Sequence, residues 1–448
     1  MMKLKQKRIT TKIEGHSNAF LFFYIMEEFI FMYNVFKLNN GLRVVVENID
    51  YINSVSVGLW VENGSRNESK YNNGISHFIE HMFFKGTDNR TAKELAEVIE
   101  NVGGQLNAFT GKEATCYYIK ALNSHLDLAL DVLSDMMFNS IFSEEEIEKE
   151  KSVVIEEINM GEDSPEEVLS DLHSHCVWGE DSISYPVLGT EDTVKSFNQD
   201  MIKEYIKNHY TPDKTVISIC GNVKQYNIEQ LIEKYFSNWK CDNKQLVIYS
   251  APPILKQVEY REKPIEQVHL CLGLKGIPIG HDDVYSLLLI NNVFGGTVSS
   301  RLFQKVREEL GLCYSIYSYS SSYINTGVLN IYTGVSPKYV YDTINVIKKE
   351  VEDFCKNGVN EFDLSIAKEQ IKGNYILGLE STSSKMFANG RSIMFLNKIY
   401  TPDDIIHKID CINKDSLTNI MNETFNKGIY NCSLVGKNLN LEKLNSII

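Results

Sequence analysis

Five consecutive residues, His77-Phe78-Ile79-Glu80-His81, have the types and spacing from which chemistry can be read first. Around them Ile75, Phe78, Ile79, Met82 and Phe83 recur at helical spacing, which predicts a buried helix with Gly86 as the stop just past its end. Residues four apart on a helix lie one above the other, so His77 and His81 present two imidazoles to one point, as two ligands of a single zinc ion would. Glu80 reaches the edge of the same point, where a reacting water would sit. The order H-x-x-E-H inverts the H-E-x-x-H pattern of zinc hydrolases. The plain alternative is two ordinary histidines beside a solvated glutamate. Against it, a helix this apolar does not carry two His and a Glu inward without a partner for them.

The elements that must position this pentad follow from the flanking sequence. Before it, Asn39-Asn40-Gly41 is a turn between two strand-like runs, and Ser54 to Val61 alternates as a third strand. After it, Thr91-Ala92-Lys93-Glu94 is a capping box that opens another helix. Two strands, Gln105 to Thr110 and Thr115 to Leu122, come next. A long acidic helix then runs from about Glu144 to Met160, with Ile147, Glu150, Val154 and Glu157 on one stripe. Ser164-Pro165 starts another helix, and Lys214 to Val223 is a strand that closes the first half.

The second half repeats the first in outline. Gln267 to Leu274 matches the strand from Ser54, and Val284 to Phe294 matches the pentad helix. With Gly295-Gly296-Thr297 laid on Lys85-Gly86-Thr87, Leu287, Ile290 and Asn291 fall where His77, Glu80 and His81 fell, so this copy lacks the ligands. The expected fold class is α+β, with two homologous halves, each a mostly antiparallel sheet packed with helices. The expected division is an N-terminal extension over 1–31, a metal-binding domain over 32–241, a linker over 242–262 and a metal-free domain over 263–448. The extension has a basic start and an apolar run, Ala19 to Met26, but Glu27 and Glu28 interrupt it and Met32 offers a natural beginning.

Composition bounds the partners. The chain has 448 residues with 43% hydrophobic and 23% charged content, in the range of a soluble globular protein. Its formal net charge of −14 argues against nucleic-acid binding and for tolerance of basic partners. The apolar run near the start is too short to insert stably in a membrane. Nine cysteines with no C-x-x-C pair read as free thiols in a reducing, cytoplasmic setting.

Two imidazoles need a third ligand, which need not be close in sequence. Here the chain after Met32 resembles the pitrilysin, insulinase and mitochondrial processing peptidase family of inverted zincins. The resemblance implies a third ligand about 75 residues past the second histidine on an acidic helix. Glu157 stands there, with the neighbouring Glu156 as rival and the helical stripe favouring Glu157. It further implies one Zn²⁺ per chain, Glu80 as catalytic base and Glu150 as a carboxylate supporting the ligands. The edge strand around Asn107, Ala108 and Phe109 would pair with an extended substrate. Arg307 and Tyr314, in Arg307-Glu308-Glu309-Leu310-Gly311-Leu312-Cys313-Tyr314, would reach from the metal-free half to bound peptide. The implied activity is endopeptidase cleavage of unfolded peptides inside a clamshell, with a homodimer as the expected form, and the acidic balance of the chain adds a preference for basic peptides. A non-catalytic assembly subunit and a zinc hydrolase of non-peptide substrates are the competing readings. His173 and His175, two apart, point to different helix faces and are expected to be structural.

Overall fold

The computed structural model describes residues 33–240 and 249–446, so the expected extension over 1–31 lies outside the described residues. A hairpin opens the chain: β1 (Tyr33–Lys37) and β2 (Arg43–Asn48) pair antiparallel, with Lys37 opposite Arg43. The Asn40 side chain holds the turn by accepting from the Leu42 N–H at 3.1 Å, and Gly41 takes the positive φ it needs, 103°. There follow β3 (Ser54–Val61), α1 (Ile75–Met82), α2 (Ala92–Glu100), β4 (Gln105–Thr110), β5 (Thr115–Leu122) and α3 (Leu126–Asn139). The half closes with α4 (Glu144–Asp163), α5 (Pro165–Trp178), α6 (Glu191–Ser196), α7 (Gln199–His209), β6 (Thr215–Gly221) and α8 (Ile228–Phe236). Its sheet has the order β1-β2-β6-β3-β5-β4, antiparallel except for β2 beside β6, and it leaves β4 at an edge.

The second half runs β7 (Gln257–Glu262), β8 (Val268–Lys275), α9 (Val284–Phe294), β9 (Cys313–Ser322), β10 (Gly327–Val335), α10 (Val340–Asn357), α11 (Glu361–Gly378), α12 (Thr382–Leu396), α13 (Pro402–Asp410), α14 (Lys414–Thr424), β11 (Asn431–Gly436) and α15 (Leu441–Asn445). Its sheet order is β7-β11-β8-β10-β9, with β7 parallel to β11. That is the order of the first sheet without β1, so the two halves share a plan and the α+β, two-domain reading stands. The expected linker over 242–262 is too long at its end, because Gln257–Glu262 form β7. Their backbone groups find partners along β11, which a linker in solvent would not supply.

Each sheet buries one face under its own helices. In the first half Val44, Val57 and Leu59 meet Phe78, Met82, Leu130 and Val154. The opposite faces are covered by exchanged helices, which the sequence division did not anticipate. Helix α12 of the second half lies on the first sheet, where Ile393 and Met394 join Val45, Trp60 and Val216. Helix α5 of the first half lies on the second sheet, where Val168 and Leu169 join Cys271, Tyr332 and Val435. Glycines permit the approach: a Cβ at Gly58 would run into the Met386 sulfur of α12, and one at Gly273 would lie 3.3 Å from the His173 ring of α5.

Candidate metal centre

Helix α1 starts under strong local control. The buried Glu68 carboxylate accepts from the backbone N–H groups of Gly74 at 2.7 Å and Ser76 at 2.8 Å, placing negative charge at the helix N-terminus. Gly74 has φ 91°, and a Cβ there would sit 2.6 Å from the Leu188 carbonyl oxygen. Ile75, Phe78, Ile79 and Met82 go into the core, which turns His77, Glu80 and His81 to the remaining face. On α4, Ile147, Glu150 and Val154 are buried, and Glu157 follows on the same stripe, one turn on. The two helices pack so that these faces meet.

Glu157 Oε2 lies 3.7 Å from His77 Nε2 and 3.5 Å from His81 Nε2. The candidate ligand atoms of the three residues all lie within 4.8 Å of one another. A tetrahedral zinc with bonds of about 2.1 Å holds its ligands about 3.4 Å apart, so two neutral imidazoles and a carboxylate at these spacings fit the ion. Glu156 is exposed, away from the pair. Burial, reinforced by the neighbouring His81, pushes His77 down to about 4, which keeps it neutral and able to donate a lone pair. His81 Nδ1 stands 2.8 Å from Glu150 Oε1, and Lys85 bonds the other oxygen of that carboxylate. Burial works against the charge on Glu150, yet the His81 and Lys85 hydrogen bonds outweigh it and hold the carboxyl below its usual range. Burial also opposes a charge on His81, and there the Glu150 hydrogen bond wins and raises its pKa.

Glu80 projects beside the triad and accepts a hydrogen bond from Thr110 Oγ1 at the end of β4. Burial raises its pKa, against the pull of the Thr110 hydrogen bond. The edge strand therefore abuts the Glu80 carboxylate. Along β4 the residues alternate: Leu106 and Ala108 pack toward the helical core, while Asn107 and Phe109 are exposed. The second half keeps a related bond from its own edge strand, Ser318 Oγ to Asn291 Oδ1 at 2.6 Å.

The structure does not bring every expected site residue to this point. Arg307 lies in a π-helical turn, Phe303–Glu309, with its guanidinium 5.3 Å from the ring centroid of Tyr314. Tyr314 is 78% exposed. The two meet each other, and among the described residues no hydrogen bond or ion pair joins either to the histidines, Glu80 or Glu157. His173 is buried between Ser433 and Asn330, each 3.0 Å away, and His175 bonds Glu259 at 2.8 Å, so both serve the seam with the second sheet. Sequence reasoning missed Thr110, Lys85 and Glu68 as parts of the site. Period-two alternation does put Thr110 on one face with Leu106 and Ala108, but only the packed structure shows that α1 lies there. The eight cysteines among the described residues are free, and no helix among them is long and apolar enough to cross a membrane.

Comparison with known proteins gives a consistent picture. Residues 43–191 match the family described as Insulinase (Peptidase family M16), and residues 196–371 match the Peptidase M16 inactive domain. The chain is 45% identical over 390 residues to the Bacillus subtilis protein named "Uncharacterized zinc protease YmxG", covering 87% of this chain and 95% of that one. It is 34% identical over 387 residues to an uncharacterized zinc protease of Streptomyces coelicolor, covering 85% and 84%. Among solved structures, a Helicobacter pylori protease superposes with a TM-score of 0.83 at 22% identity, over 90% of this chain and 99% of that one. A Pseudomonas fluorescens structure described as a peptidase M16 inactive domain gives 0.84 at 16% identity, over 91% and 98%, and at such identities the likeness speaks to the fold.

Proposed function

The chain belongs to the insulinase (M16) family of peptidases, and on that premise we propose that it is a zinc-dependent endopeptidase acting on unfolded peptides. The observation that carries the reading is the convergence of His77, His81 and Glu157, from two helices, with Glu80 beside them. His77, His81 and Glu157 would hold one Zn²⁺ per chain. Bound there, the ion supplies Lewis acidity to a carbonyl and lowers the pKa of a water.

The remaining work falls to the protein. Glu150 fixes the His81 ring through Nδ1, so that Nε2 faces Glu157. Lys85 balances the Glu150 charge. Glu80 takes the proton of the attacking water and returns it to the leaving amine, a role suited to a half-buried carboxylate with a raised pKa. Thr110 holds one Glu80 oxygen and leaves the other free for that proton. The open edge of β4 accepts an extended peptide by backbone hydrogen bonds, which tolerates many sequences. In a closed state, Arg307 and Tyr314 would supply donors to the peptide from the second half. Basic peptides suit the net charge of −14, a cytoplasmic setting suits the free thiols, and a homodimer is the proposed assembly.

Replacing Glu80 with Gln tests this. The variant should keep about one zinc per chain and lose chelator-sensitive cleavage of unstructured peptides by at least about a hundredfold. A Glu80→Gln protein that cleaves as well as wild type would remove Glu80 from the mechanism. A wild-type protein with zinc but no peptidase activity would favour the assembly-subunit reading. Light scattering on the purified chain decides the dimer.

A further inference from the structure

Of the eight free cysteines among the described residues, Cys411 alone is exposed. It follows directly on α13, and its sulfur lies 3.5 Å from Nε2 of His407, one turn earlier on that helix. At this distance the imidazole can take the thiol proton, and the thiolate is the form that attacks. The pair opens on a cavity of about 640 Å³, a size that holds a small ligand. The cavity lies between α13, the C-terminal part of α12 and the loop that leads into α9.

The charges on its wall are nearly all of one sign. Arg391 of α12 and Lys408 of α13 are exposed and, among the described residues, have no carboxylate within ion-pair distance. Lys408 lies instead 3.8 Å over the ring of Tyr400 and 5.7 Å from that of Tyr285. His281 Nδ1 accepts from the Asp283 N–H at 3.1 Å, so its Nε2 carries the proton and is a further donor. Among the described residues Asp282 is the one carboxylate lining the cavity. Two unpaired cations thus share the cavity with a thiol and its base.

We infer that this cavity binds an anionic low-molecular-weight disulfide and that Cys411 is thiolated there. Carboxylates of the reagent pair with Arg391 and Lys408, and the two tyrosine rings flank its carbon skeleton. His407 takes the Cys411 proton, and the thiolate attacks the nearer sulfur. A bond from Cys411 to that sulfur forms, the reagent's own S–S bond breaks, and the departing thiolate leaves with the proton from His407. Cys411 is oxidised and half of the reagent is reduced, so no other oxidant enters. Excess of the reagent's thiol form runs the exchange backward, so occupancy of Cys411 follows the thiol–disulfide ratio of the surroundings. None of these residues belongs to the metal centre, and the site stands whether or not the chain is a peptidase. Its cation Arg391 sits on α12, the helix whose Ile393 and Met394 cover the first sheet, so an adduct is held by the element that joins the halves.

The test treats the full-length protein with glutathione disulfide, which carries net negative charge, and separately with cystamine, which carries net positive charge. Peptide mass mapping follows Cys411 and separates it from Cys241, which lies outside the described residues. Each rate is divided by that of the same reagent with a neutral small thiol. At low ionic strength the anionic reagent should then exceed the cationic one at Cys411 by at least about tenfold. Arg391→Ala together with Lys408→Ala should bring the ratio to within about twofold of one. His407→Gln should slow both reagents alike, by about threefold or more. All three replaced side chains are exposed, so the fold should tolerate the changes. A wild-type ratio within about twofold of one, or a ratio unmoved by the double replacement, overturns the inference whatever the protein does to peptides. A His407→Gln protein that reacts as fast as wild type overturns the part given to His407.

Discussion

Acidification should loosen the seam between the halves through His173. This imidazole is 5% exposed, on α5, where that helix lies against the second sheet. Its Nε2 faces Asn330 Oδ1, an acceptor, so Nε2 carries the proton and Nδ1 receives the Ser433 hydroxyl. Burial pushes its pKa from 6.5 down to about 4, and the Asn330 hydrogen bond, which pulls upward, does not overcome it. A base whose folded pKa is depressed binds fewer protons folded than unfolded. Its stabilisation is complete above pH 6.5 and is lost as pH falls toward 4. The interval corresponds to about 3 kcal/mol, of which about 2 kcal/mol is gone at pH 5. The assay is urea unfolding of wild type and His173→Gln at pH 7, 6 and 5, both freed of metal with a chelator so that zinc-linked protons do not enter. The histidines common to both proteins cancel, including His209, which burial and then Lys214 also push to about 4. Wild type should lose about 2 kcal/mol more than the variant between pH 7 and pH 5. Equal losses in the two proteins would refute the assignment of a buried neutral His173 at the seam.

Three other outcomes follow from the same geometry. Glu150→Gln removes the carboxylate behind His81, and zinc affinity, read by chelator competition, should fall by about 10- to 100-fold with the fold intact. Glu113→Gln leaves the guanidinium of Arg66 buried without its countercharge and should cost about 3–5 kcal/mol in urea unfolding, whereas the double replacement Arg66→Met with Glu113→Leu should recover much of that loss. Thr110→Val removes the hydroxyl that positions Glu80; kcat should drop by about tenfold or more, in keeping with about 1.5–3 kcal/mol for a hydrogen bond to a charged group, while bound zinc stays unchanged.

The sequence by itself determined the parts that depend on short-range periodicity. A spacing of four on a helix makes His77 and His81 neighbours whatever else the chain does, and the Thr91 capping box and the Pro165 helix start appear where local hydrogen bonding requires them. The repeated order of strands was legible because both copies keep the same alternation. What only tertiary structure decided involves surfaces brought together from far apart in the chain. The helical stripe already favoured Glu157 over Glu156, but that this stripe meets the imidazoles is decided by the packing of α4 on α1. Helices α5 and α12 changed partners because each sheet has a second apolar face and the covering helix came from the other half, a choice no local pattern encodes. The pairing of Arg307 with Tyr314 rather than with the histidines or Glu157, the strand at Gln257–Glu262 inside the expected linker, and the Thr110 contact to Glu80 have the same origin. Backbone periodicity sets which side chains share a face, and non-local packing sets what that face meets.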